Sequence, residues 1–303
     1  MHLPEEIRFS KLTAGGNDFV CLDNTGGAFA ALLRSPHLPE FVRRVCRRGL
    51  GVGADGVVVA SRSPTDATDI QARFFEPDGS EAELCGNGTA CFTFWAADKG
   101  LLANRRARIH TAAGTARGRV DSFEKDRVHV CIPDPHGLAM DLAVEAKGRP
   151  WVVHYIDTGV PHVVTFVEGL DRLDVAHWGP GLRHHPRFQP RGVNANFVQV
   201  LDVGHLAMRT FEFGVEAETL ACGTGAAASA IVSTLRLNWP EAYRRGEEAT
   251  DVQVRGGETL AVRFIGDADC GITSVCLATR IRAIYDGRFR DEFMAELRRL
   301  DAG

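Results

Sequence analysis

The chain has 303 residues, 45% of them apolar and 24% charged, a globular composition with material for a sizeable core and room for one large or two modest domains, of which two are expected. A formal net charge of −4 excludes the electrostatic footprint of a nucleic-acid or anionic-membrane partner and points to a small-molecule ligand. The opening "MHLPEEIRFSKL" has no basic segment followed by an apolar one, and no apolar run reaches the roughly 18 residues of a membrane span, so a cytoplasmic protein is expected.

In chain order, short alternating or β-branched runs bounded by Gly, Pro or Asp predict strands at "IRFSKLTA", "GVVVAS", "QARFFE", "RVHVCIP", "PHVVTFV", "ANFVQVL", "VQVRGG" and "LAVRFIG". Helical periodicity is confined to "PEFVRRVCRRGL", the apolar run from Thr89 to Lys99 closed by Gly100, the run from Ala226 to Asn238 stopped by Pro240, and the final "GRFRDEFMAELRRL". The eight cysteines form no CxxC pair, and a chain of this length needs no staples. All are expected to be reduced thiols, with Cys21, Cys46, Cys131, Cys270 and Cys276 serving as small buried side chains.

One pattern occurs twice. "EAELCGNGTAC" from Glu81 to Cys91 and "EAETLACGTGAA" from Glu216 to Ala227 each run a cysteine into a Gly-x-Gly turn and then a predicted buried helix. Each half also carries its own strands, and "CIPDPHG" around Pro133 to Gly137 is a natural crossing point, so two similar domains facing a cleft are expected; chance likeness of two glycine turns is the competing reading. A helix N-terminus stabilises a thiolate, and glycines without Cβ atoms let the exposed amides approach a carboxylate. Two such turns facing one another would hold a carboxylate-bearing carbon between two thiols. One sulfur could remove a proton from one face while the other delivers a proton to the opposite face, inverting configuration without a cofactor.

On these two motifs, supported by "SKLTAGGNDFVCLDN", "GVGADGVVV", "TAAG", "TGVPH", "GVNANF" and "IYDG" in order along most of the chain, the sequence resembles the diaminopimelate epimerases that work without pyridoxal phosphate. The resemblance implies an α+β fold of two pseudo-symmetric α/β barrel-like domains, each wrapped round a central helix, with the C-terminal strand returning to the first. The expected boundaries are 1–133 plus 276–303 for the domain carrying Cys85, and 134–275 for the domain carrying Cys222. It further implies that Cys85 and Cys222 are the acid/base pair and that Gly86, Asn87, Gly223 and Thr224 supply amides to the reacting carboxylate. Asn17 and Glu212 would hold the reacting ammonium, with His162 and Glu212 taking up or relaying thiol protons; a structural histidine is the alternative at His162. The expected partner is an amino acid, with no cofactor and no metal, and a homodimer is compatible with the family.

Three distal-pocket positions depart from the family's polar pattern: Glu76, Val160 and Phe213, while Asn194 is retained. Losing an arginine at position 213 removes charge-assisted hydrogen bonds of about 1.5–3 kcal/mol each. Arg191 and Arg209 are candidate substitutes. A glutamate with Val and Phe fits a basic or ring-bearing side chain, so a racemase of another α-amino acid is the alternative activity, and a thiol-redox or non-catalytic binding protein a further one. The "TAGGNDF" segment lacks a histidine usual in the family, and Ala90 replaces a common arginine. "GVGADG" fits GxGxxG but follows a helix and precedes a strand, the reverse of a dinucleotide site. Asp18 and Asp55 read as turn caps, and His184 and His185 as a solvated loop, since no third ligand sits at zinc spacing.

Overall fold

The computed structural model describes residues 6–267 and 271–299. It divides into two units, one comprising the residues up to Val128 together with those from Ile281 onward, the other running from His129 to Arg280. The expected crossings at 133/134 and 275/276 lie a few residues from these.

In the first unit, β1 (Arg8–Ala14) pairs antiparallel with β2 (Asn17–Asp23). Helix α1 (Leu38–Cys46) then returns the chain so that β3 (Gly56–Arg62) lies parallel to β2. Strand β4 (Ile70–Phe75) is antiparallel to β3, and the short β5 (Glu81–Ala82) folds back on β4. After α2 (Gly86–Asp98), β6 (Arg106–Thr111) joins parallel to β4 and β7 (Gly114–Val120) antiparallel to β6. The chain leaves along β8 (Arg127–Cys131).

The second unit opens with β9 (His136–Ala146) and then repeats the scheme. Strands β10 (Arg149–Asp157) and β11 (Pro161–Phe166) are antiparallel, helix α3 (Val175–Arg183) follows, and β12 (Asn194–Asp202) lies parallel to β11. Strand β13 (His205–Glu212) and the short β14 (Ala217–Thr219) are each antiparallel to the one before. After α4 (Gly223–Arg236) and the short α5 (Glu241–Arg244), β15 (Thr250–Val254) joins parallel to β13 and β16 (Thr259–Asp267) antiparallel to β15. The order of antiparallel and parallel pairings is the same in both units, which accounts for the repeated cysteine motif as one part of a repeated architecture. The long β17 (Gly271–Arg288) pairs with β16 through its first half, and from Ile281 to Arg288 it pairs with β1, the return expected of the C-terminal strand. Helix α6 (Asp291–Arg299) closes the described chain.

Helices α2 and α4 are each buried almost all round and packed on the strands of their own unit. Their sequences explain this: α4 is built of Gly, Ala, Ser and Thr up to Ile231, so strands approach its backbone on every side. Helices α1 and α3 cover the outer faces. In α1, Leu38, Phe41, Val42, Val45 and Cys46 recur at helical spacing and pack with Val20, Leu22, Phe75 and Phe289. Thiols Cys21 and Cys46 lie in these interiors, where burial pushes both pKa values up, that of Cys46 to about 12, and leaves them inert.

Three expectations are corrected. Cys131 and Cys276 are joined by a disulfide within the second unit, so they are not reduced thiols; neighbouring strands brought them together across 145 residues, a pairing no local spacing shows. The thiol reading holds for Cys21, Cys46, Cys85, Cys91 and Cys222, and Cys270 lies outside the described residues. The Gly-x-Gly segments form the first turns of α2 and α4 and do not precede them. Helix α1 stops at Cys46 and not at Leu50. Helix α3 was not foreseen because Gly179, Pro180 and Gly181 read as a loop. Gly179 is required there because a Cβ would fall 2.4 Å from the Phe211 side chain on β13.

Candidate active site

In the first unit, Cys85 is the N-cap of α2, in extended conformation (φ −132°, ψ 118°), and its sulfur accepts from the Gly88 amide at 3.4 Å. Gly86 and Asn87 form the buried first turn. The Asn87 Nδ2 donates to Asn17 Oδ1 at 2.8 Å, and Asn17 Nδ2 donates to Asp55 Oδ2 at 3.3 Å. A carboxylate only accepts, so Asp55 fixes the orientation of Asn17, which fixes that of Asn87. The consequence is that Asn87 Oδ1 is the atom left over. It is buried and has no hydrogen-bond partner, and it packs so close to Gly15 that a Cβ there would stand 2.8 Å away.

Asp18 and Asp55 do more than cap a turn. Each carboxylate accepts the other's backbone amide, and Arg48 bridges both at 2.7 and 2.8 Å, with Lys11 2.8 Å from Asp18. Burial opposes ionisation of Asp18, but the hydrogen bonds from Arg48 and Lys11 outweigh it and hold its pKa down to about 2. The "GVGADG" segment thus serves as a brace for Asn17 on the way into β3. Glu76 lies half-buried at the turn after β4, its amide bonded to the Ser80 carbonyl. Cys91 is fully buried on α2.

In the second unit, Cys222 caps α4 with nearly the same backbone angles (φ −132°, ψ 107°). It is buried, and its sulfur lies 3.6 Å from the Thr224 hydroxyl. That hydroxyl is 3.0 Å from His162 Nε2, and His162 Nδ1 is 3.1 Å from Asn196 Nδ2. His162 has no exposed surface; burial pushes its pKa down to about 3, so it is neutral and cannot take up a proton near neutral pH. Its remaining chemical capacity is to donate one hydrogen bond and accept another. Glu212 ends β13 half-buried, beside the turn that carries Phe213.

Asn194 is buried with its amide engaged inside the protein: Oδ1 accepts from the Phe213 amide at 2.7 Å and Nδ2 donates to the Pro161 carbonyl at 3.2 Å. It shapes the Phe213 turn. Phe213 is part-exposed, and the Arg183 guanidinium lies 4.2 Å from its ring centroid. Val160 is half-buried in the β10–β11 turn, where its carbonyl accepts from Thr158. Arg209 is excluded as a substitute carboxylate ligand: Glu218 holds it bidentately at 2.6 and 2.8 Å, and the Leu170 and Leu173 carbonyls hold its other edge. Arg191 is half-exposed, 3.8 Å from Asp157 in the same turn region as Val160. His184 pairs with Glu216, and no cluster of metal-ligating residues occurs among the described residues. No helix among them is long and apolar enough to cross a membrane. Asn196, Thr210 and Arg183 were missed in the sequence; "NANF" offered Asn196 only as the second asparagine of a strand start.

The diaminopimelate epimerase family model matches residues 9–130 and 154–262. The diaminopimelate epimerase of Aquifex aeolicus is 35% identical over 293 residues, covering 95% of this chain and 99% of that protein. That of Methanocella arvoryzae is 35% identical over 300 residues, covering 96% and 99%. Among solved structures, a probable proline racemase from Agrobacterium radiobacter superposes with TM-score 0.72 at 13% identity, covering 94% of this chain and 93% of that one. A hydroxyproline epimerase from Agrobacterium vitis does so with TM-score 0.72 at 15% identity, covering 95% and 92%. With two like units, each presenting a cysteine at the N-cap of a buried helix, and with relatives matched over nearly their whole length, the chain belongs to the diaminopimelate epimerase family of isomerases.

Proposed function

We propose that this protein interconverts LL- and meso-diaminopimelate by cofactor-independent proton exchange at one α-carbon, with Cys85 and Cys222 as the acid/base pair. The observation that carries the reading is the matched geometry of the two cysteines, each the N-cap of a buried helix whose first-turn amides have no intrahelical partner. Those amides, from Gly86, Asn87, Gly223 and Thr224, suit the reacting carboxylate, whose negative charge the helix N-termini favour. Asn17 and the Glu212 carboxylate, both half-buried, suit the reacting ammonium. One sulfur takes the α-proton as the C–H bond breaks, and the opposite thiol supplies a proton to the other face of the carbanion. The donor sulfur then becomes the thiolate, and the enzyme is ready for the reverse direction. Neutral His162 orients the Thr224 hydroxyl beside Cys222.

For the distal end, Arg191, half-exposed and 3.8 Å from Asp157, is the candidate cation for a second carboxylate. A second reading is favoured by Phe213 and Val160, which present ring and aliphatic surface where the family has polar groups; with Glu76 they fit a basic or aromatic amino acid. The experiment is proton NMR in D2O with LL-diaminopimelate, histidine, lysine, arginine and aromatic amino acids. Exchange of the α-proton with inversion in LL-diaminopimelate supports the first reading, and faster exchange in another amino acid the second. No exchange in any α-amino acid would leave the redox or binding alternatives.

A further inference from the structure

We infer that Asn196 is a positioning residue: it fixes the His162 ring with its proton on Nε2 and so directs the Thr224 hydroxyl proton onto the Cys222 sulfur. The inference rests on the proposed acid/base role of Cys222, and every residue in it belongs to the second unit.

The argument starts from a backbone carbonyl. The Val163 oxygen, which can only accept, lies 2.9 Å from the Asn196 side-chain atom that must therefore be the amide NH2. The opposite side agrees, since the Thr210 hydroxyl donates to Asn196 Oδ1 at 2.9 Å. The second hydrogen of that NH2 meets His162 Nδ1 at 3.1 Å, so Nδ1 is the bare ring nitrogen. A neutral imidazole with a bare Nδ1 carries its proton on Nε2, and that N–H donates to Thr224 Oγ1 at 3.0 Å. With an oxygen lone pair occupied by the histidine, the hydroxyl hydrogen turns to the sulfur at 3.6 Å. Asn196 and His162 have no exposed surface, and Thr224 and Cys222 are buried, so water does not compete along the chain.

Two features give this order a consequence. A sulfur that has released its proton is the better acceptor, so a hydroxyl hydrogen turned to Cys222 stabilises its thiolate in the half of the cycle where Cys222 is the base. In the first unit the Cys85 sulfur accepts from the Gly88 backbone amide at 3.4 Å. The two halves, alike in fold, differ in how their sulfurs are held.

The test uses the full chain labelled with 15N-histidine, in which protonated and bare ring nitrogens are distinguished by NMR. The wild type is expected to show His162 protonated on Nε2 and bare on Nδ1. Asn196→Asp puts an acceptor opposite Nδ1 and is expected to move the proton to that nitrogen. In kinetics, Thr224→Val removes the hydroxyl and should lower kcat by about 10²-fold or more, the range of a lost proton-transfer partner, with KM little changed. Thr224→Ser should restore it. A wild-type His162 protonated on Nδ1, or a Thr224→Val enzyme with unchanged kcat, overturns the inference. Cys222→Ala separates the layers: if it turns over normally, the acid/base reading itself falls, whereas an inactive Cys222→Ala beside a fully active Thr224→Val sinks only the role of the chain.

Discussion

Gly225→Ala reads the packing behind Cys222 with a single methyl group. In an open helix this change stabilises by about 0.8–1 kcal/mol, the difference in helix propensity. Here the added Cβ would stand 2.4 Å from Asn196 Oδ1 and 3.2 Å from the Cys222 sulfur. Relief requires Asn196 Oδ1 to retreat by about 1 Å, which the side chain cannot do cheaply because both ends of its amide are bonded in a fully buried position. Losing one such buried bond costs about 1–3 kcal/mol, so the gain in propensity is cancelled or reversed and the net change is roughly 0–2 kcal/mol of destabilisation. Activity should fall with it, since the same shift disturbs His162 and Cys222. Urea unfolding followed by circular dichroism gives the stability, and the D2O exchange assay gives the activity. A variant stabilised by about 1 kcal/mol with full activity would refute the reasoning and mean that the Asn196 pocket yields freely.

Cys85→Ala and Cys222→Ala should each abolish inversion with the fold intact by circular dichroism, while Cys91→Ala, deep in α2, should retain catalysis; wild-type rates in both active-site variants would end the two-thiol account. If the two sulfurs serve one carbon, mild oxidant should couple Cys85 to Cys222 and stop activity until reductant is added, and peptide mapping that recovers both as thiols in oxidised, inactive protein would contradict this. Folded His162 refuses a proton that the unfolded chain takes below about pH 6.5, so stability should fall as pH drops from there towards 4 by roughly 1.4 kcal/mol per unit. His154, also depressed chiefly by burial, adds in the same direction, and His162→Gln should flatten the slope measured by urea unfolding at a series of pH values. Arg191→Ala should raise KM for LL-diaminopimelate about 10- to 100-fold if Arg191 meets the distal carboxylate, and an unchanged KM would favour the other amino acids.

The two cysteine-capped helices were legible because their pattern is local: a cysteine followed by Gly-x-Gly and an all-buried helix is a short motif, and it occurs twice. The strands were legible from their alternation, and the return of β17 to the first unit followed from the resemblance. What escaped depends on contacts between distant segments. Asn196 has an ordinary place in a strand, and only the Val163 carbonyl and the Thr210 hydroxyl reveal its orientation. Arg209 and Arg191 look alike in sequence, yet Glu218 consumes the first and leaves the second half-exposed. The disulfide between Cys131 and Cys276 follows from strand pairing across 145 residues. Asp55 shows a third kind of miss, a residue placed correctly beside its turn whose part in orienting Asn17 and Asn87 appears only with side chains in position.

The central claim is that two thiols on opposite faces invert one α-carbon. Its most direct measurement is the early time course of LL-diaminopimelate in D2O, quenched at low conversion and read by mass spectrometry of the separated stereoisomers. A two-base reaction puts solvent deuterium into the inverted product and none into the recovered substrate, and loses inversion in Cys85→Ala and Cys222→Ala. Deuterium appearing equally in substrate and product, or the original α-hydrogen carried into the product, would show a single base and contradict the account.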